Sequence, residues 1–132
     1  ACKQVAKKIQ VFGNGDLFDA DAARRMFLET GCDGLMVSRG TMGKPWIAED
    51  IIRTLSGDPI QERGDLDCKQ ALLDHFHYSL LYYNEKKAII DMRRLGCWYY
   101  RDESKGKEFR KAITKVDRRE EVYRIIDTFW EQ

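Results

Sequence analysis

Two short stretches of this chain pair glycine with polar or charged residues. Gly13-Asn14-Gly15-Asp16 comes first, and Ser38-Arg39-Gly40 follows some twenty residues later. Glycines let backbone amides come close to an anion, and the Arg39 guanidinium can fork onto a phosphate. Turns between a strand and a helix also favour Gly, Asn and Asp, so each stretch taken singly reads as a plain turn. Taken together, they point to a phosphate site. A second chemistry-bearing stretch lies further on. Arg93, Arg94, Arg101, Lys105, Lys107, Arg110 and Lys111 are interleaved with Trp98, Tyr99 and Tyr100. Basic groups neutralise phosphates, and aromatic rings can stack on splayed RNA bases. A solvated helix face with its aromatics in the core has the same pattern, and Trp98 is expected in the core under either reading. His75 and His77 lie on an aromatic helix face and read as structural. The cysteines at 2, 32, 68 and 97 form no C-x-x-C pair, so neither a metal site nor a disulfide framework is expected.

These residues need elements to position them. Ile9–Phe12 reads as a strand ending in the Gly13–Asp16 turn. Asp19 suits a helix N-cap, with Asp21 in the first turn, and residues 20–30 read as a helix ending at Gly31. Its expected inner face is Ala23, Met26, Phe27 and Thr30. Leu35–Val37 reads as a second strand, followed by the Ser38–Gly43 loop. Pro45 suits the first position of a helix running through Trp46, Ile47, Ile51 and Leu55. Both strands are apolar without alternation, the pattern of parallel strands buried on both faces. In a (βα)₈ barrel, consecutive late loops of this kind form the usual phosphate site.

The Ser56-Gly57-Asp58-Pro59 segment breaks the pattern, and everything after about Leu66 reads as helical. Leu72, Phe76, Leu80 and Tyr83 share one helical face. Asn84 marks a break before Ala88, Ile89, Met92 and Gly96. Phe109, Ala112, Ile113 and Val116 define another helix. Asp117 with Glu120 resembles a capping box ahead of Val122, Ile125, Ile126 and Phe129. The expected fold class is therefore an α/β fragment, the end of a larger α/β protein, over residues 1–58. An all-α helical bundle over residues 65–132 follows.

Composition narrows the function classes. The 132 residues are 43% hydrophobic and 34% charged, with a formal net charge of +1. That is apolar enough for a core, and no run approaches the ~20 residues of a membrane span. No signal peptide is expected. The opening Ala1-Cys2-Lys3-Gln4 reads as an interior cut. The near-neutral total hides a pattern: residues 86–119 carry twelve Lys+Arg against five acids, net +7, between acidic flanks. Two parallel strands leave edges unpaired, so the isolated chain is expected to self-associate.

Three motifs carry a family resemblance. V-F-G-N-G-D-L-F (11–18) and T-G-C-D-G-L-M-V-S-R-G-T-M-G-K-P-W-I (30–47) resemble the end of the flavin barrel of tRNA-dihydrouridine synthases. D-M-R-R-L-G-C-W-Y-Y-R (91–101), with G-K-E-F-R-K-A-I (106–113), is similar to their C-terminal helical domain. The resemblance implies a cytoplasmic oxidoreductase of tRNA processing that reduces uridine to dihydrouridine. FMN would be its flavoprotein cofactor and NADPH its reductant. It implies that Asn14, Gly15, Asp16, Ser38 and Arg39 hold the FMN phosphate, and that the basic block contacts tRNA. Ser38 stands where the family usually has Gly, and Leu95 where a basic residue or His often follows the Arg pair. The family's catalytic cysteine belongs to an earlier barrel loop, so no catalytic residue is expected here and the chain alone is expected to be inactive. Two other readings fit the residues: a non-catalytic RNA-binding helical module, and the end of another FMN-dependent barrel oxidoreductase acting on a small molecule.

Overall fold

The computed structural model describes residue 3, residues 8–100 and residues 104–131. Strand β1 (Phe12–Asn14) is followed by helix α1 (Ala20–Thr30), and strand β2 (Gly34–Met36) by helix α2 (Ile47–Ser56). Four helices come next: α3 (Asp65–Tyr82), α4 (Glu85–Leu95), α5 (Gly106–Ile113) and α6 (Arg119–Trp130). Single 3₁₀ turns lie at Arg39–Thr41 and Gly96–Trp98. The chain is thus mostly helical with two strands. It divides into two compact units, Ala1–Glu62 and Arg63–Gln132.

In the first unit β1 and β2 are parallel, with Phe12 opposite Gly34, Gly13 opposite Leu35 and Asn14 opposite Met36. The first strand therefore begins where the sequence placed its end. Ile9 is 70% exposed. Val11 is held instead by Asp33, whose carboxylate accepts its N–H at 2.8 Å and whose own N–H donates to the Val11 carbonyl at 2.8 Å. Gly13 belongs to the strand rather than to a turn, for a steric reason. A Cβ there would lie 2.8 Å from the Met26 sulfur, so its absence lets α1 settle on the sheet.

Helix α1 has the ends expected of it. The Asp19 side chain accepts from the Ala22 N–H at 2.7 Å, and Gly31 closes the helix at φ 61°. Its buried face is Ala20 and Ala23, packed with Leu17, Ile47 and Ile51, whereas Thr30 is exposed. Met26 packs against that cluster, so the inner face keeps the expected Ala23 and Met26, adds Ala20 and leaves Thr30 out. Helix α2 starts at Ile47 after a turn in which the Ile47 N–H donates to the Lys44 carbonyl at 3.1 Å, so Pro45 lies ahead of the helix.

The second unit is built on Leu72 and Phe76 of α3, Ala88, Ile89 and Met92 of α4, and Phe109 and Ile113 of α5. Tyr99, Val116, and Val122 and Ile126 of α6 complete that core. The Asn84 side chain caps α4 by accepting from the Lys87 N–H at 2.9 Å. The cap of α6 is shifted by one residue from the expected Asp117/Glu120 pair. Glu121 reaches back to accept from the N–H groups of Asp117 at 2.8 Å and Arg118 at 3.3 Å, while Glu120 pairs with Arg119. Two backbone donors fix the Glu121 carboxylate as an anion, holding it below the usual carboxylate range. Among the described residues no helix is long and apolar enough to cross a membrane.

Candidate functional site

Because β1 and β2 run parallel with Asn14 opposite Met36, the two loops that follow them leave the sheet side by side. They enclose a pocket of about 210 Å³ lined by Asn14, Gly15, Asp16, Leu17, Ser38 and Arg39. All five residues singled out as a phosphate site line this one pocket. Its volume is below the roughly 300–1,000 Å³ of pockets that enclose whole drug-sized ligands, so it suits one end of a larger molecule.

Local backbone chemistry shapes this pocket. Gly15 has φ 151° and Asp16 φ 23°, a bend that only the first of these residues adopts without strain. Gly40 is buried under the first loop, and a Cβ there would lie 1.8 Å from the Leu17 carbonyl oxygen. The second loop thus needs glycine to lie against the first, a reason distinct from amide approach to an anion. Past Ser38, the chain turns into 3₁₀ geometry. The Ser38 carbonyl accepts from the Thr41 N–H at 3.0 Å and from the Thr41 hydroxyl at 2.8 Å.

The charges are arranged across the two loops. An Arg39 Nη2–H donates to the Asp16 carboxylate, and the guanidinium lies 5.8 Å from the centre of the Phe18 ring. Both ion-pair side chains are about two-thirds exposed, so the pair is a weak stabiliser and a ready exchanger. A carboxylate offers no donor to a phosphate. The Asp16 carboxylate faces Arg39, and the side-chain hydrogen-bond donors that line the pocket are those of Asn14, Ser38 and Arg39. Lys44 is a residue that sequence reasoning missed. Its Nζ donates to the Phe18 carbonyl at 3.2 Å, tying the second loop to the first. The available signal was the G-K-P-W run, in which a lysine directly follows the glycine-bearing loop.

The basic block is spread over α4, the Gly96–Trp98 turn and α5. Arg93 is engaged within the fold: its Nε–H donates to the Val116 carbonyl at 2.7 Å and its Nη2–H to Asp117. Arg94 is 71% exposed in its side chain and leans on Asp91 at 3.3 Å. Lys107, Arg110 and Lys111 are exposed on α5, opposite buried Phe109 and Ile113. Lys105 stands at the start of α5, where its carbonyl accepts from the Phe109 N–H at 2.9 Å. Arg101 lies outside the described residues.

The three aromatics divide. Tyr99 is buried, with its hydroxyl 3.0 Å from His75 Nδ1, and Tyr100 stacks on Phe109 at 4.6 Å between ring centres. Trp98, expected in the core, is 49% exposed. The core in this region is filled by Tyr99, Tyr100, Phe109, Phe129 and Trp130, which displaces the third ring outward. Burial lowers the His75 pKa against the opposing pull of Asp91, and raises that of Tyr99, so it favours the neutral form of both. Cys32 and Cys68 are buried free thiols and Cys97 is half-buried. Among the described residues no group of His, Cys, Asp and Glu could hold a metal ion.

Comparison with known proteins adds a family to this geometry. The family model described as dihydrouridine synthase matches residues 1–131. The chain is similar to a probable tRNA-dihydrouridine synthase of Mycobacterium leprae, 31% identical over 121 residues, covering 91% of this chain and 32% of that protein. It is similar to tRNA-dihydrouridine synthase B of Pseudomonas putida, at 34% over 120 residues, covering 89% of this chain and 35% of that protein. The same-named protein of Pectobacterium carotovorum is 27% identical over 132 residues, covering 99% of this chain and 41% of that protein. The chain thus spans about a third of the length of the curated relatives it matches.

Proposed function

The chain belongs to the dihydrouridine synthase family, and from that premise we propose that it supplies the FMN phosphate site and the tRNA-contacting helices of a tRNA-dihydrouridine synthase. Its first unit is read as the last two βα units of a TIM barrel, and its second as a helical bundle that grips tRNA. The observation that carries the reading is the convergence of the Asn14–Asp16 and Ser38–Arg39 loops on one pocket at the ends of two parallel strands.

The donor set fits a phosphate monoester. Arg39 gives a guanidinium, Asn14 an amide, and the bend at Gly15 and the 3₁₀ turn after Ser38 give backbone N–H groups. FMN held there by its phosphate would supply the hydride that saturates the uridine C5–C6 bond, with NADPH as the source of reducing equivalents. The part played by this chain is positional. Asp16 aims Arg39, Lys44 locks the two loops together, and Gly40 lets them touch. No residue of this chain is assigned the proton-donating role. The exposed basic residues Arg94 of α4 and Lys107, Arg110 and Lys111 of α5 hold the tRNA backbone.

The test is flavin titration of the full-length protein that carries these residues. A charge-assisted hydrogen bond is worth about 1.5–3 kcal/mol, so Arg39→Ala should weaken FMN binding roughly tenfold to a hundredfold. Arg53→Ala is the control, since Arg53 pairs with Glu49 on α2 at 2.9 Å. The isolated 132-residue chain should hold FMN weakly or not at all. If Arg39→Ala retains FMN as tightly as the unaltered protein, the loop is an ordinary turn. If a strain lacking the protein keeps all its tRNA dihydrouridine, the activity itself is misassigned.

A further inference from the structure

The feature of the second unit that the proposed function leaves unused is Trp98. The Gly96–Trp98 turn packs against both α4 and α5. It is anchored on either side of the indole. Gly96 is buried, and a Cβ there would lie 3.2 Å from Ile113 Cγ1. Tyr99 is buried and bonded to His75. With both flanking residues seated in the core, the Trp98 ring is directed outward and half-exposed. The contrast with Trp130 is instructive. That indole N–H donates to the Asp65 carbonyl at 2.9 Å, and its ring packs edge-on against Tyr100 and Phe109. Trp98 has no such ring or hydrogen-bond partner among the described residues.

A large ring left half-exposed between two helices can take an occupant, and the charge of those helices selects it. The helices on both sides of the turn present exposed cations: Arg94 on α4, and Lys107, Arg110 and Lys111 on α5. Glu108 is the single exposed acid of α5. A protein partner would have to bury these cations against a matching acidic face, whereas a polynucleotide brings phosphates to the flanks and a flat base to the centre. The ring face needs a base that is out of its helix, because paired bases in an A-form duplex hide theirs. We propose that Trp98 is a stacking platform for one unpaired RNA base, flanked by phosphate contacts from α4 and α5. This deepens the tRNA reading above and rests on it.

The experiment measures binding of an unmodified tRNA transcript to the 132-residue chain across a salt series. Trp98→Ala should weaken binding about tenfold, the scale of base–aromatic stacking, and leave the slope of log affinity against log salt unchanged, since no cation is removed. Trp98→Phe keeps a π face and should retain most of the affinity. Trp98→Leu keeps apolar bulk without that face and should lose as much as alanine. A blunt RNA duplex should bind all four proteins alike. Thermal unfolding of the variants should match that of the unaltered chain, because the ring is half outside the core. If the unaltered chain binds no tRNA, the tRNA reading fails and this inference with it. If it binds and Trp98→Ala binds equally well, the stacking site alone is overturned. It is also overturned if leucine substitutes fully, or if the chain is a dimer that Trp98→Ala dissociates, for then the ring serves a packing surface.

Discussion

A guanidinium acts according to what already occupies its donors, and Arg93 and Arg94 show how far two adjacent residues can differ. Arg93 donates to the Val116 carbonyl and to Asp117, so it clamps α4 to the segment between α5 and α6. Arg94 is 71% exposed and leans on Asp91 across a single turn. Arg93→Glu should lower the thermal unfolding midpoint, since it removes charge-assisted bonds worth about 1.5–3 kcal/mol and places a carboxylate beside Asp117. Arg94→Glu should leave folding almost unchanged, weaken tRNA binding and flatten its salt dependence by somewhat under one unit for each phosphate no longer neutralised. Calorimetry and a salt titration of both variants check this. If the two variants bind and melt alike, the division of labour between them is wrong. The same logic separates Asp16 from the other residues of the pocket. It lines the space, yet its carboxylate is turned to Arg39.

Elements are joined by pairs such as His75 of α3 and Tyr99 beyond the 3₁₀ turn, which give the second unit a pH dependence of known sign. Burial holds the His75 pKa below its ordinary value of 6.5, with Asp91 pulling the other way. In the unfolded chain this imidazole takes up a proton near 6.5, while the folded chain resists it. Its contribution is therefore complete above about pH 6.5 and is lost as pH falls below that value. Asp33, Glu120 and Glu121, all held low by hydrogen bonds, lose theirs only in more acid solution, around and below pH 4.5. Urea unfolding should show stability falling as pH drops below about 6.5, and His75→Gln should flatten that fall. An unchanged slope in the variant would remove His75 as its source. The long helices were legible from sequence because their information is local. The apolar period, the Asp19 and Asn84 caps and the Gly31 stop all lie within a few residues of what they control. Strand β1 was misplaced because three residues carry no period, and its limits are set by Asp33 and by α1 pressing on Gly13. Pocket residues were legible as a set of types. Their roles were not, since the Asp16–Arg39 pair and the Gly40–Leu17 approach each join residues over twenty apart. Trp98, Tyr99 and Tyr100 look alike in sequence, and only the rings of α5 and α6 decide which of them is left outside.

At the scale of the whole molecule, the two units differ in how well each closes its own core. The second is centred on Leu72, Phe76, Met92, Phe109, Ile113 and Ile126, all fully buried. In the first, the buried cluster is Leu17, Ala20, Ala23, Ile47 and Ile51, in which two members are alanines that bring little apolar area. Its sheet has two strands of three residues, each pairing only with the other among the described residues. Phe12 and Met36, which lie on those strands, are more than half exposed, as are Leu28 and Ile52 on the helices. Unpaired strand edges beside exposed apolar side chains are templates for association. The chain spans about a third of its relatives' length, and under the barrel reading proposed above further strands would cover these edges. The 132-residue chain by itself should therefore self-associate through residues 8–62, with a mass in light scattering that rises with concentration. Amides of β1, β2 and α1 should exchange with solvent faster than those of α4 and α6, because opening the first unit exposes less buried surface. Replacing Phe12 and Met36 together by Thr, which keeps strand propensity and removes apolar area, should shift the population toward monomer without altering exchange in the second unit. A monomer at every concentration, with β1 and β2 as well protected as α4, would mean that the first unit is complete in itself and has no edge left to pair.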